Sequence, residues 1–77
     1  MELRDRITVD PKVLVGKPVI AGTRIAVEFV VDLLASGWSH EQILSNYPHL
    51  TDRDILACLQ YAGDLLHNER VYPVSVA

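Results

Sequence analysis

Thr23 and Arg24 close the run Gly16-Lys17-Pro18-Val19-Ile20-Ala21-Gly22-Thr23-Arg24-Ile25, where they set a hydroxyl and a planar guanidinium beside a turn. A guanidinium is a rigid fork of donors that fits a phosphate or a carboxylate through two parallel hydrogen bonds. Arg6 and Lys17 join Arg24 if the segment folds as a ribbon, so an anionic partner would be met here. Two readings of Arg24 stand together: it contacts such a partner, or it braces the turn and pairs with Glu28 four residues on. Charge points the same way. Residues 1–24 carry five basic against three acidic side chains, and residues 25–77 carry two against seven, giving net +2 and −5. Two readings of this split stand together: an ordinary solvated surface, or a surface on which anions are met only through the N-terminal segment.

The remaining reactive residue types form no catalytic pattern. His40, His49 and His67 lack metal-ligand spacing with one another and read as surface or capping residues. Cys58 rules out an internal disulfide and lies in an apolar stripe, as a small core residue does. Asp52 and Asp54 are a carboxylate pair, yet they follow Thr51 in the first turn of a helix, where capping and the helix dipole explain them. With no nucleophile and base, phosphate-cradling loop or ligand cluster left, the expectation is a non-enzymatic binding protein without a cofactor or metal.

These residues must be positioned by short elements. Ile7-Thr8-Val9 alternates and is closed by Asp10-Pro11, as in a strand; Pro18-Val19-Ile20 is a second extended piece, followed by a turn at Gly22. From Val27 the spacing becomes helical, with Val27, Val30, Val31 and Leu34 on one stripe and Gly37 as the terminator. Ser39-His40-Glu41-Gln42 has capping-box form and starts a second helix that buries Ile43 and Leu44 and stops before Pro48. Thr51 caps a third helix reaching His67 or Asn68, with Ile55, Leu59, Ala62 and Leu66 as its core stripe, widened by Leu56, Cys58 and Leu65. The expected fold is mainly α: a three-helix helix-turn-helix bundle with a short N-terminal β ribbon, one domain over 1–68 and an extended tail over 69–77.

In that arrangement the third helix presents Asp52, Arg53, Ala57, Gln60, Tyr61, Asp64 and His67 outward. Only Arg53 and Gln60 have the chemistry for base edges, and the surface is not basic, so it suits a major groove poorly. Trp38 either covers the end of the bundle or forms a hot spot at an interface. Arg70, Val71, Tyr72 and Val74 belong to a tail that is either frayed or laid extended in a partner's groove. With 77 residues, 49% hydrophobic and 22% charged, the chain has more apolar side chains than a small monomer hides, so a homodimer or a stable partner is expected. The single cysteine, the absence of an apolar leader and the absence of any membrane-length apolar run lead to the expectation of a soluble cytoplasmic protein.

The combined string is distinctive. Pro11, Gly-Lys-Pro-Val-Ile-x-Gly-Thr-Arg-Ile-x-Val over 16–27, Gly-Trp-Ser-x-Glu-x-Ile over 37–43, Tyr-Pro-x-Leu-Thr-x-x-Asp-Ile-x-Ala over 47–57 and Tyr61-Ala62 resemble the bacterial domain-of-unknown-function family four-three-three from residue 6 to about residue 67. That resemblance implies a homeodomain-like fold and a VapB-type antitoxin of a type II toxin-antitoxin system. It further implies a PIN-like ribonuclease toxin as partner and operator DNA binding that represses the shared operon. A stand-alone helix-turn-helix transcriptional regulator and a non-catalytic interaction adaptor are the alternatives.

Overall fold

A computed structural model describes residues 3–68. A single 3-10 turn over Leu3–Arg6 leads into β1 (Ile7–Val9). Then follow β2 (Pro18–Ile20), α1 (Val27–Ala35), α2 (His40–Asn46) and α3 (Asp52–Asn68). The strands form an antiparallel ribbon with Ile7 opposite Ile20, Thr8 opposite Val19 and Val9 opposite Pro18. Pro18 thus occupies the first position of its strand, where the missing N–H disturbs the ladder least. Three helices and this ribbon make the fold mainly helical, as the sequence predicts.

The loop between the strands holds an unforeseen feature. Leu14, Val15 and Gly16 follow one another in the left-handed region with φ of +49°, +55° and +80°. The turn is held by the amides of Gly16 and Lys17 donating to the carbonyls of Val13 and Leu14 at 3.1 and 3.2 Å. For a β-branched residue such as Val15 this conformation is an outlier, because Cβ crowds the backbone carbonyl. Its side chain is 94% exposed, so no burial offsets the strain.

Beyond β2 the chain reverses at Gly22, which takes φ +78°, while the Thr23 amide donates to the Ile20 carbonyl at 3.0 Å. Val19 also bridges Ala26, so β2 is flanked on both sides. The helices begin and end as their local sequences dictate. At the end of α1 the Trp38 amide reaches back to the Leu33 carbonyl and the Gly37 amide to that of Leu34, both at 3.0 Å, with Gly37 at φ +97°. This Schellman closure satisfies carbonyls that the last turn would leave open. Ser39 and Gln42 exchange both bonds of a capping box at the start of α2. Thr51 and Asp54 do the same for α3: the Asp54 amide donates to Thr51 Oγ1 at 3.3 Å and the Thr51 amide to Asp54 Oδ2 at 2.9 Å.

The core is built from Ile20, Val27, Val30, Ile43, Leu50, Ile55 and Cys58, with Trp38, Tyr47 and Tyr61 packed partly against it. Phe29 meets Tyr47 edge to face, ring centres 5.7 Å apart. The face of α3 differs from the periodicity-based expectation. Ala57 is buried rather than outward, and the N-terminal 3-10 turn packs on α3 along with α1, α2 and β1. Leu59 and Leu66, expected in the core stripe, are 41% and 64% exposed, and Leu56 is 39% exposed. Among the described residues no helix is long and apolar enough to cross a membrane.

Candidate functional site

The cations picked out from the sequence divide into engaged and free. Arg6 reaches across 48 positions to Asp54, Nη1 to Oδ1 at 3.0 Å, with the carboxylate side chain only 10% exposed. Asp54 therefore does more than cap α3: it ties the arm before β1 to the last helix. Lys17 is bonded to Glu28 at the start of α1. That contact, with its opposite charge, holds the ammonium above its ordinary pKa. The partner of Glu28 is thus Lys17 and not Arg24. Of the six residues proposed for anion or base contact, three (Arg6, Lys17 and Gln60) are already bonded to carboxylates within the chain.

Thr23 is committed as well. Its hydroxyl donates to the Ile20 carbonyl at 2.8 Å and accepts from the Ile25 amide at 3.0 Å, so it braces the turn from inside. Gln60 donates to Asp64 one helical turn on, at 2.9 Å. Arg24 and Arg53 remain exposed, with no ion-pair partner among the described residues. Arg24 is carried by a turn locked at both Thr23 and Gly22, whereas Arg53 sits in the first turn of α3 between Asp52 and Asp54. Among the described residues, ribbon and third helix therefore offer one free arginine each, and no continuous basic stripe joins them.

His40 is tied into the fold by a hydrogen bond and Cys58 by burial. His40 Nδ1 lies 2.7 Å from Asp52 Oδ1, linking the first turns of α2 and α3. No cluster of three metal-ligating side chains occurs among the described residues. Cys58 is fully buried; desolvation, with a smaller contribution from the Asp54 charge, pushes its thiol up to about 11. A thiol held neutral in this way is a poor nucleophile at physiological pH.

Trp38 is half-buried and packs against the core from the end of α1. Arg70, Val71, Tyr72 and Val74 lie outside the described residues. The residues that sequence reasoning missed are apolar ones on the surface. Val15 stands out from the strained loop, Val9 is 58% exposed on β1, and Leu56, Leu59 and Leu66 line the outer side of α3. Nothing local in the sequence separates these leucines from core leucines, since both recur at helical spacing.

Comparison with known proteins gives these observations their setting. No curated protein matches the chain. A crystal structure of a DUF433 member protein from Anabaena variabilis ATCC 29413 superposes with a TM-score of 0.77 at 32% identity, over 86% of this chain. The chain spans 65% of the length of that protein's chain. The family model described as "Protein of unknown function (DUF433)" matches residues 7–62, from the first strand to the middle of α3. The chain belongs to the DUF433 family.

Proposed function

We propose that this protein is a VapB-type antitoxin: a non-catalytic docking module that binds a PIN-like ribonuclease and neutralises it. The observation carrying this reading is the division of its surface. Arg6 and Lys17 are paired internally, while Val9, Val15, Leu56, Leu59 and Leu66 face outward. Such a surface fits another protein better than a polyanion, because nucleic-acid affinity comes mainly from free cations on phosphates. Arg24, free and fixed on its turn, is the group suited to entering a nuclease's carboxylate site, where it would take the place of the metal or the substrate phosphate. Arg70 in the tail is the other basic group proposed for this role. Co-expression with the product of the adjacent gene tests the reading. A co-purifying complex with suppressed ribonuclease activity, and weaker suppression by Arg24→Ala, supports it; no complex and undiminished ribonuclease activity overturns it.

A second reading, promoter binding by the same protein, draws on Arg24 and Arg53 both being exposed and without an ion-pair partner among the described residues. Mobility shifts with the upstream DNA across a salt series test it. Loss of Arg24 or Arg53 should flatten the log–log salt slope by about 0.9 per phosphate contact removed. No shift at low salt disposes of the idea.

A further inference from the structure

Two helices of this chain start with a reciprocal cap, and the two caps differ in one respect. At α2 the Ser39 amide donates to Gln42 Oε1 at 2.8 Å and the Gln42 amide to Ser39 Oγ at 3.1 Å, so the exchange is closed between neutral, exposed groups. At α3 the returning acceptor is a carboxylate, and only one of its oxygens serves the helix. Asp54 Oδ2 accepts from the Thr51 amide at 2.9 Å, while Oδ1 accepts from Arg6 Nη1 at 3.0 Å. Asp54 is the one buried charged or polar residue among the described residues. A buried carboxylate persists where it is both paired and hydrogen-bonded. One side chain therefore holds two structures 48 positions apart: the arm ahead of β1 and the first turn of α3.

We propose that the N-terminal arm is a latch on the first turn of α3: Arg6 pins the Asp54 carboxylate, and once the arm lifts, the Thr51 cap opens with it. With the guanidinium withdrawn, the carboxylate is a charge with one donor in a site nearly closed to water. Turning out to solvent relieves it, and both oxygens leave together because they belong to one side chain. Arg6 is 28% exposed against 10% for the Asp54 side chain, so the guanidinium has the path to water that the carboxylate lacks, and opening begins at the arm. The other charged contact at this turn, His40 with Asp52, is open to solvent on both sides and carries no such penalty. Coupling of this kind runs in both directions. A partner that grips the turn bearing Arg53 tightens the arm, and one that draws the arm away loosens that turn.

Residue-resolved amide hydrogen exchange on the full chain tests the latch, and it needs no toxin or DNA, so its failure and that of the antitoxin reading are separable. Three amides serve as reporters. The Ala21 amide, which donates to the Arg6 carbonyl at 2.7 Å, reports the arm, and the Thr51 amide reports the α3 cap. The Ser39 amide reports the α2 cap, whose acceptor Gln42 has no bond to the arm, and corrects for any loss of global stability. In Arg6→Met, Ala21 and Thr51 should both exchange roughly tenfold faster relative to Ser39. Asp54→Asn separates charge from cap. Its carbonyl oxygen still accepts from Thr51, while its NH2 group gives Arg6 nothing to hold and carries no charge to be drawn into water. There Ala21 should quicken while Thr51 keeps its wild-type ratio to Ser39. If Ala21 or Thr51 merely follows Ser39 in Arg6→Met, the proposal is overturned. It is overturned equally if Asp54→Asn quickens Thr51 as much as Arg6→Met does, because arm and cap are then joined by packing and not by the shared carboxylate.

Discussion

Replacing Arg6 by methionine keeps most of the aliphatic stem and removes only the guanidinium that meets Asp54. The carboxylate left behind is nine-tenths buried but keeps the Thr51 amide as a donor at 2.9 Å. Deleting one member of a fully buried ion pair costs about 3–5 kcal/mol, whereas an exposed pair contributes about 0–1 kcal/mol. Arg6 is itself 28% exposed, so the lower part of the buried range is cut further by water. The expected loss is about 2 kcal/mol, which in a domain of this size lowers the melting temperature by roughly 8–16 °C. Urea unfolding followed by circular dichroism measures it, with Arg6→Lys as the control that restores charge without the fork. Because the Arg6–Asp54 pair ties the N-terminal turn to α3, proteolysis before residue 7 should also quicken in Arg6→Met. A loss below about 0.5 kcal/mol, the level of an ordinary surface substitution, would show that the arm is held by packing alone and that the pair is solvent-screened.

Three other perturbations follow from the same geometry. Val15→Gly relieves a β-branched residue from φ +55° and should raise urea stability by about 0.5–1 kcal/mol, the gain being reduced by the greater freedom of glycine in the unfolded chain. Ser39→Ala removes the hydroxyl that accepts the Gln42 amide at 3.1 Å and should destabilise by about 1 kcal/mol, read as a shift in the urea midpoint at constant slope. For Cys58, the folded thiol stays protonated up to about 11 while the unfolded thiol ionises near its ordinary value of 9.0, so the unfolded state binds fewer protons in that window. Stability should fall as pH rises from about 9 to 11, by ~2–3 kcal/mol in total, and the difference between wild type and Cys58→Ala should carry that slope.

Much of this fold is legible because helix ends are written locally. Gly37, the Ser39 box, Pro48 and Thr51 each act within four residues, and the helices stop and start where those residues require. Gly22 marks its turn for the same reason. The third helix's face is harder, because two apolar stripes run along α3 and periodicity cannot say which one the rest of the chain covers. Ala57 is core on a helix against which Leu3–Arg6 also packs, a segment with no periodic signal of its own. Long-range pairing was equally hidden. Glu28 suits Arg24 by helical spacing, yet the ribbon's geometry brings Lys17 to it, and Arg6 finds Asp54 over 48 positions that no local pattern connects. The left-handed Leu14 and Val15 run against their own preferences, so only the assembled ribbon places them there.

The stitching of the first turn to the last helix also sets the order in which this protein can come into being on the ribosome. Ile55 and Cys58 complete the core and Asp54 anchors Arg6, so the emerging ribbon and first two helices have neither their hydrophobic floor nor their clasp until α3 leaves the exit tunnel. Nothing durable forms before α3 has been made, and a nascent chain stalled short of Asp54 offers proteases an open substrate.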